Sequence, residues 1–288
     1  MRSMFMDGSP ALPSSSANFP GPDEYEKCLL SYIIRGMRTA LIAFRFNVRG
    51  EYTDRMATPL FVFDLDNTLY PKGLPIWNMV DDRIEQYVIG KLGTDRDTAR
   101  RVRMDFLARY GSTLRGLMRH HGVRPADYLG YIHDVPIPEI VPRRPELLEM
   151  LSGLPGRCVV FTNGSKEYAR RVLAALGVAE RMEAVYGIEF MEYIAKPFPY
   201  PYRKLLRATD SRPEDSLFCE DSLRNLLPAR ELGMFTVLVG GNGEEPPASR
   251  EGNGPEGSLR PHAVVGDVCD LPDVLHGFPP LARGRASG

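Results

Sequence analysis

Along the chain, short unbroken apolar runs take turns with longer stretches in which apolar side chains recur every three or four residues. The first kind, at 60–63, 157–161, 185–188, 217–219, 235–239 and 262–265, has the length of strands buried on both faces. The second kind predicts helices. Trp77, Val80, Ile84, Tyr87 and Val88 share one stripe that stops near Gly90. A capping-box pattern from Thr94 to Asp97 opens a helix carrying Val102, Phe106, Leu107 and Tyr110, with Gly111 at its end. Leu114, Leu117, Met118 and His121 form a third apolar face closed by Gly122, and 125–132 reads as a short fourth helix. Further helices are expected at 146–151, over Tyr168, Ala169, Val172, Leu173 and Leu176 with Gly177 as the stop, at 202–208, and at 271–275. Another is expected from an N-cap at Ser222 to Leu232, kinked by Pro228.

This alternation argues an α/β fold: a Rossmann-like parallel-sheet core with an all-helical cap inserted after the first core strand. The core takes 58–71 and 141–276, and the cap takes 72–140. Residues 240–261, dense in Gly, Pro and charge, read as a flexible insertion, and 277–288 as a loose tail. Residues 1–57 form an N-terminal extension whose first 22 residues have the composition of a disordered segment. Farther on, Leu30, Ile33, Ile34, Met37, Leu41 and Phe44 recur at helical spacing, interrupted by Arg35, Arg38 and Arg45. That stripe suits a basic membrane-surface helix or a targeting segment, and its uncharged runs are too short to span a bilayer. Met56, just ahead of the first strand, offers an alternative start that would leave the extension out.

With 43% hydrophobic and 25% charged residues in 288, the composition is that of a globular protein with a sizeable core. A net charge of −1 gives no pull toward nucleic acid or an anionic membrane. Cys28, Cys158, Cys219 and Cys269 are too far apart for a close-spaced metal pattern. Cys158 and Cys219 fit small core residues in a reducing cytoplasm. Oligomeric state stays open.

The chemistry starts where the first strand ends. The run 60–63 opens onto Asp64 and Asp66, then Asn67 and Thr68, and Pro71 forbids the strand from continuing. Two carboxylates so close repel, and a hard cation resolves the conflict, so the pattern points to a Mg²⁺-dependent phosphate site. Three more polar stations follow strand ends or adjoining loops: Thr162 with Asn163, Lys196, and Glu220 with Asp221. A parallel sheet would gather all four at one edge, the edge where open α/β sheets bind ligands. Thr162 and backbone N–H groups near Asn163 suit phosphoryl oxygens. Each station has a plainer reading: turn residues at 162–163, a solvated lysine before Pro197, helix-start acids at 220–221.

The stretch Phe63-Asp64-Leu65-Asp66-Asn67-Thr68-Leu69 resembles the first signature of the haloacid dehalogenase superfamily, and the other stations follow that family's order. The resemblance implies Asp64 as nucleophile and Asp66 as acid/base, with Lys196 offsetting charge and Thr162 and Asn163 on phosphate. It further implies a Mg²⁺ shell of Asp64, the Asp66 carbonyl, Glu220 and Asp221. Members that dehalogenate lack the second aspartate, so phosphoryl transfer is expected. Asp66-Asn67-Thr68-Leu69-Tyr70-Pro71, the cap sequence 110–122, and 218–226 are similar to the pyrimidine 5′-nucleotidase branch, which implies a pyrimidine nucleoside monophosphate as substrate. That branch more usually carries Asp-Asp where this chain has Glu220-Asp221, leaving direct or water-mediated metal contact of Glu220 open. Another small phosphomonoester, such as a sugar phosphate or phosphoglycolate, is the alternative; a non-catalytic phosphate-binding scaffold is the reading from another class. Arg115 lies off its helix's apolar stripe and is the cap's candidate for substrate contact, while Trp77 and Tyr110 fit the cap's own core on spacing.

Overall fold

The computed structural model describes residues 58–240 and 260–283. The N-terminal extension, most of the 240–261 insertion and the last five residues lie outside the described residues. So do the alternative start at Met56 and the amphipathic stripe.

Six strands form one parallel sheet: β1 (Leu60–Phe63), β2 (Arg157–Phe161), β3 (Ala184–Tyr186), β4 (Ser216–Glu220), β5 (Phe235–Val239) and β6 (Ala263–Val265), in the order β3-β2-β1-β4-β5-β6. β1 is central, with Val62 opposite Val159 on one side and Phe218 on the other. Every residue of β1, β4 and β5 is buried, because helices cover both faces; this is why these strands read as continuous apolar runs. From β1 the chain goes to one side of the sheet for β2 and β3, then returns past β1 for β4. That reversal puts a crevice beyond the carboxyl ends of β1 and β4.

Between β1 and β2 the chain is helical: α1 (Ile76–Leu92), α2 (Arg96–Tyr110), α3 (Thr113–His121), α4 (Pro125–Ile132), α5 (Ile137–Ile140) and α6 (Pro145–Gly153). The fold class is therefore the α/β one, with helices inserted after the first core strand. Several boundaries differ from the apolar pattern. α1 continues past Gly90 to Leu92, because the stop is the left-handed Gly93. α2 is capped by Asp95, one residue after the expected Thr94, its carboxylate accepting from the Thr98 N–H at 2.8 Å. Trp77 is 43% exposed instead of packed in the helical interior. Inside α3, Gly116 lies against the Phe106 ring so closely that any Cβ would overlap it.

The later helices are α7 (Lys166–Leu176), α8 (Pro199–Ala208), α9 (Leu223–Glu231), α10 (Leu271–Val274) and α11 (Pro279–Arg283). α9 follows Ser222, whose side chain makes no cap bond, and runs through Pro228. The end of the chain departs most from expectation. Where the sequence predicts a loose tail from 277 onward, Phe278 is fully buried, edge-on to Phe61 with ring centroids 5.9 Å apart and near Phe235 at 5.6 Å. Two residues of one run cannot be told from a tail by periodicity, yet one aromatic ring suffices to anchor it. No helix among the described residues is long and apolar enough to cross a membrane.

Candidate active site

The Asp64 N–H donates to the Cys219 carbonyl at 2.9 Å, carrying the β1–β4 pairing one residue beyond the strand. The chain then turns sharply: Thr68 and Leu69 N–H groups donate back to the Leu65 carbonyl. Asn67 adopts φ 60°, a left-handed conformation that Asn tolerates better than most residues. The turn returns Thr68 to Asp64, its hydroxyl 3.4 Å from Oδ2.

Lys196 is the hub. Its Nζ, on a side chain only 1% exposed, donates to Asp64 Oδ1 at 2.7 Å, Glu220 Oε2 at 2.8 Å and the Phe161 carbonyl at 2.8 Å. Three donors meet three acceptors, so the ammonium is saturated. The Phe161 and Phe218 rings flank it at 5.2 and 5.1 Å. Burial alone would pull its pKa down, but the charges of Asp64 and Glu220 outweigh burial and hold it above the ordinary lysine value. Burial pushes the Asp64 carboxyl up, against the pull of Lys196, and burial together with the Asp64 charge pushes Glu220 up. Two buried carboxylates share one ammonium, so burial drives both shifts and the neighbouring negative charge adds to them.

Asp221 adds to that surplus. Carboxylate oxygens of Asp64, Glu220 and Asp221 lie within 4.8 Å of one another. Asp221 also pairs with Lys72 at 3.3 Å. An all-oxygen, net-negative group of this kind fits a hard divalent cation, for which it supplies charge and ligand type without a sulfur or imidazole donor.

Asp66 faces elsewhere. Its Oδ1 accepts from Tyr168 Oη at 2.6 Å and from Tyr70 Oη at 2.5 Å. Burial and the nearby Asp64 charge push its carboxyl up to about 6, against the two hydroxyls, which pull it down. The two aspartates of the motif thus sit in different surroundings, one bound to an ammonium and the other to phenols.

Thr162, 1% exposed, accepts from the Gly164 N–H at 3.0 Å. The Asn163 Oδ1 accepts from the Lys196 N–H at 2.8 Å and its Nδ2 donates to the Lys196 carbonyl at 3.2 Å, so the side-chain amide is engaged by protein backbone. Arg115 stands half-buried in the first turn of α3, its N–H accepted by the Ser112 hydroxyl that caps the helix.

Asp64, Asp66, Thr162, Asn163, Lys196, Glu220 and Asp221 are thus the residues that the sequence marks as candidates, whereas nothing in it marks Thr68, Tyr70, Tyr168 or Lys72 as their partners. Tyr168 belongs to the apolar stripe of α7 and Tyr70 to a turn, so each looks like packing until the fold brings its hydroxyl to Asp66.

Fold and site define a class: doubly wound α/β proteins with charged chemistry at the carboxyl edge of the sheet, beside the reversal in strand order. A haloacid dehalogenase-like hydrolase family model matches residues 58–233, and the chain belongs to that family. It is 26% identical over 197 residues to phosphate metabolism protein 8 of Saccharomyces cerevisiae, a match spanning 63% of this chain and 61% of the yeast protein. A shorter stretch of 89 residues is 35% identical to the bifunctional epoxide hydrolase 2 of Mus musculus, spanning 31% of this chain and 16% of that protein. The chain therefore spans about three fifths of the yeast relative's length and a small part of the mouse one. Among solved structures, a HAD phosphatase from Thermococcus onnurineus superposes with TM-score 0.52 at 20% identity, covering 76% of this chain and 98% of that one. A 2-haloacid dehalogenase from Pseudomonas syringae gives 0.51 at 21% identity, covering 77% and 99%. Resemblance at that level establishes the fold.

Proposed function

We propose that this hydrolase is a phosphatase working through an aspartyl-phosphate. The observation that carries the proposal is the Lys196 ammonium held between Asp64 and Glu220, with Asp221 completing a carboxylate cluster beside it. A phosphate monoester dianion repels an attacking carboxylate, so this reaction needs positive charge fixed beside the nucleophile. Asp64 attacks phosphorus while the bond to the leaving oxygen breaks, and Asp66 gives that oxygen its proton. Asp66 then takes a proton from the water that cleaves the aspartyl-phosphate, releasing phosphate and restoring Asp64. Thr162, whose oxygen accepts from Gly164, keeps its own hydrogen for a phosphoryl oxygen. Mg²⁺, held by Asp64, Glu220, Asp221 and the Asp66 carbonyl, would when bound neutralise charge on the phosphoryl group. Asp66 supports the phosphatase reading over dehalogenation, and a yeast relative named for phosphate metabolism agrees with it.

For substrate, the resemblance of 66–71, 110–122 and 218–226 to the pyrimidine 5′-nucleotidase branch favours a pyrimidine nucleoside 5′-monophosphate. The inserted helices at 72–140 would act as the cap, with Arg115 the candidate for contact with the nucleotide and the rings of Trp77 and Tyr110 the candidates for stacking on its base. The test is phosphate release from nucleoside monophosphates, sugar phosphates and phosphoglycolate, with Mg²⁺ or chelator, beside Asp64→Asn. Preference for uridine and cytidine monophosphates, lost with Asp64→Asn, is the expected result. A sugar-phosphate preference would keep the chemistry and reject the nucleotidase assignment, and phosphate release by Asp64→Asn at wild-type rate would sink the mechanism.

A further inference from the structure

We infer that Asn163 is a positioning residue for Lys196, fixing the main chain that carries the catalytic ammonium. The inference rests on the proposed role of Lys196.

Lys196 sits in an irregular segment between the Glu192–Tyr193 turn and Pro197, with no strand or helix to satisfy its backbone. The residue is 2% exposed, and a buried N–H and C=O left unpaired would each be costly. The Asn163 amide satisfies both, accepting from the N–H at 2.8 Å and donating to the carbonyl at 3.2 Å, much as a neighbouring strand would. Two residues earlier on the same segment, the Phe161 carbonyl accepts from Lys196 Nζ at 2.8 Å. The end of β2 therefore grips this lysine at both ends, backbone and ammonium. A long flexible side chain anchored only at its tip would leave its backbone free to shift, and the saturated contacts of Nζ to Asp64 and Glu220 demand a fixed origin. Asn supplies donor and acceptor in one planar group; Ser, Thr and Asp do not supply both with that peptide-like geometry.

The test is a double-mutant cycle measured as kcat and KM on the best substrate of the phosphatase panel, with thermal melts to confirm folding. Asn163→Ala alone should lower kcat by roughly tenfold to a hundredfold, with KM changing far less. In the Lys196→Ala background the same substitution should cost less than about a further twofold, because there is no ammonium left to misplace. Asn163→Asp, which keeps the acceptor for the Lys196 N–H but loses the donor, should fall between wild type and Asn163→Ala, and it serves the same cycle if the alanine variant does not fold. Equal losses from Asn163→Ala in both backgrounds would overturn the inference while leaving the catalytic role of Lys196 intact. So would a rise in KM at unchanged kcat, which is the signature of direct phosphate binding. A Lys196→Ala enzyme of near-normal rate would overturn the proposed mechanism itself and the inference with it.

Discussion

Around Lys196, charge and geometry are inseparable. Two carboxylates on one buried ammonium make a strongly coupled group, in which removing the cation leaves both acids unpaired in a dry setting. Lys196→Ala should therefore lower turnover by ~10²–10³-fold, the cost of losing a positioned charge at a developing transition state. Steady-state kinetics at saturating Mg²⁺ checks this. The types and order of the site residues were legible in the sequence, because the acids and the amide come within three residues of the end of an apolar run. Their pairings were not. Asn163 looked like a phosphate ligand, and its contact with Lys196, 33 residues away, exists only once β2 and the 194–197 loop are side by side. Tyr168 was invisible as a partner of Asp66 for the same reason, whereas Tyr70, four residues on, is brought back to it by the turn at Asn67.

At the scale of elements, packing decides. Gly116 interrupts α3 where a Cβ would come 2.1 Å from the Phe106 ring of α2. Alanine gains about 1 kcal/mol of helix propensity over glycine, but overpacking of a tight contact costs about 1–3 kcal/mol, and an overlap this deep belongs at the upper end. Gly116→Ala should thus lower the urea midpoint, with the loss arising between α2 and α3. A second inter-element contact titrates. His133, directly after α4, stacks on Tyr168 of α7 at 4.3 Å, and its Nδ1 lies 3.0 Å from the Ser165 hydroxyl that caps the same helix. Burial, helped by the Arg171 charge, pushes its pKa down to about 3 from 6.5. Between those values the unfolded chain binds the proton and the folded one does not, so acidification from 6.5 toward 3 destabilises the protein through this group. The slope approaches about 1.4 kcal/mol per pH unit. Asp66, raised to about 6, acts oppositely, since its folded form binds the proton first and loses stability as pH rises. Comparison with His133→Asn isolates the histidine: the variant's melting temperature should fall less steeply on acidification than the wild type's. A parallel pair of curves would show that His133 binds its proton equally in the folded and unfolded chains.

For the molecule as a whole, the sheet joins segments from both ends of the described chain into one core. Arg144 shows the same closure in polar form, donating to the Leu69 carbonyl at 3.2 Å and to Asp267 at 2.9 Å, so that the turn after β1 is tied to the last part of the chain. Phe278 does so with apolar contacts. Phe278→Ala removes a fully buried ring from between Phe61 and Phe235 and should cost about 3–5 kcal/mol. Equilibrium urea unfolding would register it as a lower midpoint at unchanged slope. Because Phe61 lies on the strand that ends at Asp64, the loss should also reach activity as temperature rises. A variant with wild-type stability would show that the segment after 277 is dispensable to the core.

By itself the sequence determined the strands, the helical character of 72–140 and the residue types at the carboxyl edge. Periodicity, glycine and proline stops, and acids after apolar runs are local signals carried by neighbouring residues. Only the tertiary structure decided which acid meets Lys196, which hydroxyls meet Asp66, that the Asn163 amide is engaged by backbone, and that Phe278 belongs to the core. Apart from the Tyr70 contact, which spans four residues and needs only the turn after β1, those outcomes depend on contacts between residues far apart in the chain, and a parallel sheet makes such contacts by aligning strand ends whose separation in sequence carries no trace of their proximity.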